Sequence, residues 1–189
     1  QLADVPALQV VEMAETAVIL YTSGSSGQPK GVRLPHQAVQ TYMHTAVNQF
    51  QLTESYNILQ FASMGFDTSL EEICVTHLSG GTLILRTEES LNSIQAFFNF
   101  CHTYQITVLD LPTAFWHTMT IEMQRNPALR LPANIRLIII GGEKASPKHL
   151  ATWRAVASHE ATLLNTYGPT EATIVATGCA IAGPNAVSS

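Results

Sequence analysis

The chain has 189 residues, 46% of them hydrophobic and 12% charged, enough apolar sequence to bury a core at about the size of one domain. A formal net charge of −5 at pH 7 leaves no basic surface able to hold a nucleic-acid backbone through counterion release, so no nucleic-acid partner is expected. Cys74, Cys101 and Cys179 are widely spaced, with no CxxC pair and no histidine at ligand spacing, and read as reduced core thiols of a cytosolic protein.

In chain order, the opening QLADVPALQVVEMAETAVILY carries no basic segment before its apolar residues, and no run of ~18 apolar residues follows it. Neither a secretory signal nor a membrane span is expected, and the expected compartment is the cytoplasm. Both ends read as cut within an element. Short runs rich in β-branched residues then alternate with longer amphipathic stretches, the pattern of βα units around a largely parallel sheet. Strands are predicted at 17–21, 57–61, 82–85, 107–110, 136–140 and 162–165, continuously apolar and hence buried on both faces. Helices are predicted at 36–50, 68–78, 91–103, 112–123 and 147–157. Ser90 and Ser146 are the expected N-caps of two of them, the latter followed by Pro147 at the first helical position. No internal repeat or low-complexity tract divides the chain, so one α/β unit is expected, with ligands at the carboxyl ends of its strands.

After Val18-Ile19-Leu20, the string YTSGSSGQPKG places three glycines, four hydroxyls and a lysine within the eleven residues from Tyr21 to Gly31. Glycines let backbone N–H groups approach an anion, hydroxyls add donors, and Lys30 adds a compact positive charge, so the string suits phosphate. It is no Walker A loop, because Lys30 follows Pro29 and precedes Gly31 instead of standing between Gly and Ser or Thr. Further on lie GFDTSLEEI (Gly65 to Ile73), RLIIIGGEKAS (Arg136 to Ser146) and NTYGPTEAT (Asn165 to Thr173). The last offers an aromatic for stacking and a carboxylate suited to Mg²⁺. Alternatively, Thr170 and Glu171 would simply start a helix, and Asp67 or Thr68 would cap one.

Taken together and in this order, the strings resemble the core motifs of the adenylate-forming superfamily, which includes acyl-CoA synthetases, luciferases and the adenylation domains of nonribosomal peptide synthetases. The chain is similar to the central part of that family's large N-terminal domain, over residues 1–189. The FDxS setting of Asp67 resembles the amino-acid-activating members, in which this aspartate pairs with the α-ammonium group of the substrate.

The resemblance implies that the substrate carboxylate attacks the α-phosphate of ATP, and that the acyl group passes to the phosphopantetheine thiol of a carrier domain, beside condensation domains of a larger synthetase. Thr22, Ser23, Gly24, Ser25, Ser26, Gly27 and Lys30 would hold the phosphates, with Thr22, Lys30 and Glu171 the catalytic groups and Glu171 the Mg²⁺ ligand. Gly142, Glu143, Asn165, Tyr167, Gly168 and Thr170 would complete the nucleotide site, Tyr167 against the adenine. Asp67, Thr68, Glu71, Asp110, Ile139, Gly141, Thr166, Ile174 and Val175 would line the amino-acid pocket. Glu71 and Asp110 remain as acids after Asp67 is assigned to the ammonium, and two carboxylates in a partly dry pocket are costly without a cation. A basic substrate such as lysine, ornithine or arginine is therefore expected, the alternative being that Glu71 or Asp110 points elsewhere or is solvated. His36 and His117 are expected to be structural.

Departures matter as well. No ribose-binding TGD segment, hinge, small C-terminal domain or C-terminal lysine follows Glu171, so weak or absent adenylation is expected of these residues alone. The alternatives are an acyl- or aryl-CoA ligase fragment, disfavoured by Asp67, and a non-catalytic nucleotide-binding fragment.

Overall fold

The computed structural model describes residues 11–23, 27–157 and 161–186. Strands β1 (Thr16–Ser23) and β2 (Pro29–Pro35) lead into helix α1 (His36–Gln49), and β3 (Asn57–Gln60), α2 (Asp67–Ser79) and β4 (Thr82–Leu85) follow. A short 3₁₀ turn, Glu89–Leu91, precedes α3 (Ile94–Thr103), β5 (Val108–Pro112), α4 (Thr113–Arg125) and β6 (Leu137–Gly141). The chain continues through α5 (Pro147–Val156), β7 (Thr162–Tyr167), a second 3₁₀ turn at Thr170–Ala172, and β8 (Thr177–Ala182).

Six strands form one sheet in the order β4-β3-β5-β6-β7-β8. All neighbours are parallel except β7 and β8, which are antiparallel. The largely parallel α/β sheet expected from the sequence is therefore present, with two differences. β1 stands outside this sheet, in an antiparallel hairpin with β2, and its residues alternate in exposure as a strand wetted on one face does. β8 was not anticipated, because the edge sequence TGCAIA lacks the β-branched run by which a central strand is recognised.

Apolar residues on the two faces of the sheet build separate cores, as the side-chain period of two requires. Ile58, Val108, Leu137, Ile139 and Leu164 pack with Met43 and Ala46 of α1 and Val75 of α2. Leu59, Leu109, Leu111, Ile138, Ile140 and Leu163 pack with Phe97 and Cys101 of α3, Trp116 and Met119 of α4 and Trp153 of α5. The sheet is thus covered on both faces, and its polar functions gather at the strand ends.

Three local expectations change. Ser90 does not cap α3: it lies in the 3₁₀ turn with its hydroxyl donating to Thr87 O at 2.6 Å, while Ser93 Oγ accepts from Ala96 N at 3.0 Å as the true cap. Ser146 does precede Pro147 at the start of α5, but its side chain makes no capping bond. The three cysteines are free, yet only Cys101 is fully buried; Cys74 is half-buried and Cys179, on edge strand β8, is exposed. Among the described residues no helix is long and apolar enough to cross a membrane.

Candidate functional site

The carboxyl ends of β3, β5, β6 and β7 open onto a cavity of about 510 Å³, where the topology of an open parallel sheet puts ligands. Of the residues expected in an amino-acid pocket, Asp67, Thr68, Glu71, Asp110, Gly141, Thr166, Ile174 and Val175 line it, beside Gly142, Glu143 and Gly168. Ile139 does not. It borders, with Glu71 and Asp110, a space of only about 10 Å³ behind the pocket floor. Phe61, Ala62, Ser63, Phe66, Arg86, Leu111 and Pro112 also line the cavity; none is among the site residues expected from the sequence, although Phe66 stands in the FDxS string. Arg86 was findable as a lone cation directly after the strand run TLIL.

Asp67 is the first residue of α2, with Phe66 as the N-cap. Its Oδ1 accepts from Thr68 N at 2.9 Å and its Oδ2 from the Thr170 hydroxyl at 2.8 Å. The helix start and the turn after β7 are thereby joined at one carboxylate.

The adjacent glutamates of α2 differ sharply. Glu72 is enclosed by donors: Oε1 accepts from Phe61 N at 2.9 Å and Ala62 N at 3.1 Å, and Oε2 from Gln60 Nε2 at 3.3 Å. Burial pushes its pKa up to about 7, opposed by those donors and by Arg86, so Glu72 serves as a brace for the chain leaving β3. Glu71 is 3% exposed, and its Oε1 has no hydrogen-bond partner. Burial, together with the neighbouring Glu72 and Asp67, pushes Glu71 up to about 7, with the Tyr42 hydroxyl opposing. Asp110, on β5, is raised well above the usual carboxylate range by burial and by Glu71, Glu72 and Asp67. Arg86 is the cation of the cavity lining, yet its Nε donates to Phe61 O at 2.9 Å and its Nη1 pairs with Glu88 at 3.1 Å. It does not pair with Glu71 or Asp110.

The Gly-Gly turn after β6 is held from below. Thr113, fully buried, donates its hydroxyl to Gly141 O at 3.0 Å and to Glu143 O at 3.2 Å. A Cβ on Gly141 would lie 2.8 Å from Thr166 Oγ1, whereas the space beside Gly142, at φ 83°, is open. The turn therefore presents backbone to the cavity where a side chain would fill it.

On β7, Asn165 Oδ1 is buried without a partner and Tyr167 is 70% exposed; neither lines the cavity. Glu171 is exposed in the 3₁₀ turn beside Thr170. Thr173 and Ile174 follow with φ of 62° and 73°, a left-handed pair that is strained for β-branched residues and that brings Ile174 to the cavity wall. Strand β2 packs against the Thr170–Ala172 turn, so the hairpin lies next to Glu171. Thr22 and Lys30 are cross-strand partners in that hairpin; Lys30, Ser23 and Gly27 are exposed, and Thr22 is half-buried. Gly24, Ser25 and Ser26 lie outside the described residues. His36 opens α1, and His117 Nε2 accepts from Ser146 N at 3.2 Å while its ring stacks on His149 at 4.1 Å.

This arrangement, a pocket at the strand ends beside a Gly/Ser/Thr hairpin and an acidic turn, is that of an adenylate-forming fold, and the chain belongs to the AMP-binding enzyme family, which it matches over residues 3–188. It is 41% identical over 172 residues to the isonitrile lipopeptide synthase of Streptomyces coeruleorubidus, covering 91% of this chain and 12% of that protein. It is 35% identical over 159 residues to tyrocidine synthase 2 of Brevibacillus parabrevis, covering 84% of this chain and 4% of that one. The chain thus spans about an eighth or less of these relatives. The nonribosomal peptide synthetase FmoA3 superposes with a TM-score of 0.79 at 20% identity, over 92% of this chain and 18% of that one, a likeness of fold. The Vibrio cholerae adenylation domain AlmE, solved with glycyl-adenosine-5'-phosphate, superposes at 0.73 with 26% identity, over 89% of this chain and 31% of that chain.

Proposed function

We propose that this chain forms the central part of an adenylation domain that activates an amino acid as its aminoacyl-adenylate, for loading onto the phosphopantetheine of a carrier domain within a larger peptide synthetase. The observation that carries the reading is the single cavity in which Asp67 and the unpartnered Glu71 meet the Gly141-Gly142-Glu143 turn. An ammonium-binding carboxylate and a backbone surface open to a nucleotide share one volume there. AlmE, with its glycyl-adenylate, supports the pairing of amino acid and nucleotide.

In this reading Asp67 receives the α-ammonium group, and Tyr167 offers an exposed face to adenine beside Asn165 and Gly168. The hairpin carrying Thr22, Ser23, Gly27 and Lys30 receives the β- and γ-phosphates. Glu171 suits Mg²⁺, since one exposed carboxylate together with phosphate oxygens and water is the donor set this ion favours. The ion would neutralise charge on the phosphates, while the protein's own work is positioning and electrostatic stabilisation. The substrate side chain is basic, lysine, ornithine or arginine in type, because Glu71 and Asp110 are buried acids that Arg86 does not neutralise.

The test is amino-acid-dependent ATP–pyrophosphate exchange by the full-length protein across the common amino acids and ornithine. Exchange with a basic amino acid is expected. Exchange with neutral amino acids alone removes the side-chain assignment and leaves the reaction class standing. Exchange with carboxylic acids lacking an α-amino group points to an acyl- or aryl-CoA ligase, and nucleotide binding without any exchange to a non-catalytic role.

A further inference from the structure

We propose that His117 is a positioning residue for nucleotide binding, its ring holding from α4 the segment Gly141–Ser146, whose backbone faces the cavity. The proposal rests on the reading that this Gly-Gly-Glu turn borders the nucleotide. His117 lies outside the cavity lining, so it acts through the segment and not on the ligand. Residues 142–146 carry no helix or strand, and the place of such backbone depends on what its polar groups meet. Two side chains of α4 meet them, four residues apart and hence on one face of the helix. Thr113 Oγ1 donates to Gly141 O and Glu143 O at the front of the segment, and His117 Nε2 accepts from Ser146 N at 3.2 Å at its end. Ser146 stands immediately before α5, and its own side chain makes no capping bond. Three residues on, His149 stacks on the His117 ring at 4.1 Å with 29° between the planes. The first turn of α5 thus fixes the ring that fixes the loop.

A ring nitrogen that accepts from an amide carries no proton, so His117 is the neutral imidazole with its proton on Nδ1. Burial foremost, and then His149, lower its pKa below the ordinary histidine range, with Glu143 opposing. His149 on α5 and Glu143 in the turn are the titratable groups that act on it. Lys144 in the turn and Lys148 on α5 are exposed and in no ion pair among the described residues. Protonation makes Nε2 a donor set against the Ser146 N–H, and the hold on the segment is lost. The anchor is therefore present at neutral pH and fails as the pH falls through the lowered pKa.

The test is binding of Mg-ATP by the full-length protein, measured by calorimetry from about pH 5 to about pH 8.5, with KM and kcat for exchange alongside. His117→Phe keeps a ring against His149 and deletes the acceptor. His117→Gln places an amide oxygen where Nε2 stood, an acceptor at every pH. His117→Phe should weaken ATP binding about five-fold near neutral pH, with KM for the amino acid and kcat within about two-fold of wild type. His117→Gln should bind ATP as wild type does near neutral pH. Towards acid pH, wild type should lose affinity more steeply than either variant. ATP affinity unchanged in His117→Phe, or a fall in His117→Gln as steep as in wild type, overturns the proposal. Equal rises in KM for ATP and amino acid in His117→Phe overturn it too, because they mark general damage to the fold. Should His117→Phe fail to fold, the slopes of His117→Gln and wild type decide alone. A wild type that binds no ATP fails the nucleotide reading and the proposal with it, a result distinct from wild-type binding that His117→Phe leaves intact.

Discussion

Thr170 Oγ1 donates to Asp67 Oδ2 at 2.8 Å, joining the turn after β7 to the first turn of α2 across 103 residues of sequence. The bond links the carboxylate assigned to the substrate ammonium with the turn that carries Glu171. A hydrogen bond to a charged group contributes about 1.5–3 kcal/mol. Thr170→Val, nearly isosteric, should destabilise the protein by about that amount in urea unfolding and raise KM for both amino acid and ATP. Stability and both KM values equal to wild type would mean that the contact has no energetic weight.

Glu171 makes no hydrogen bond or ion pair among the described residues and is exposed. Glu171→Ala should therefore leave unfolding within about 0.5 kcal/mol of wild type while lowering pyrophosphate exchange ~100-fold or more, the scale of losing one electrostatic group at a reacting phosphate. Extra Mg²⁺ should restore part of the rate. An exchange rate equal to that of wild type at limiting Mg²⁺ would remove Glu171 from metal binding.

Glu72 has a different task from its neighbour. Glu72→Ala strips the acceptor from Phe61 N and Ala62 N, and leaving such donors unpaired costs about 1–3 kcal/mol each. A fall in stability of about 2–3 kcal/mol is expected, with Glu72→Gln much milder because the amide oxygen still accepts. Equal effects from Ala and Gln would show that the backbone donors find other partners.

Glu71 links stability to pH in the absence of substrate. Its pKa is raised from 4.5 to about 7 in the folded chain, so its favourable contribution is present below pH 4.5 and is lost as the pH rises through 7. Glu71→Gln removes the charging cost without changing shape. Relative to wild type the variant should melt higher at pH 8, by the equivalent of about 3 kcal/mol, and lose most of that advantage at pH 5. Thermal melts with the same offset at both pH values would contradict a buried, unpaired Glu71.

The sequence by itself determined the parallel βα framework, because short apolar runs such as the isoleucine-rich LIII, alternating with longer amphipathic stretches, are the pattern of buried central strands flanked by helices. Its resemblance to the family's motifs also marked Asp67, Glu71, Asp110, the Gly141-Gly142 turn and Thr166, all of which line the cavity. What it could not determine depends on contacts between distant segments. The pairing of β1 with β2 outside the main sheet, and the edge strand β8, follow from which hydrogen-bonding partners remain free once the parallel strands are paired. Ser93 and not Ser90 caps α3 because the 3₁₀ turn takes the first serine. Glu71 and Glu72, adjacent and chemically identical, separate only in three dimensions: the i and i+1 positions of a helix point about 100° apart. One side chain meets the amides leaving β3, while the other turns towards the cavity.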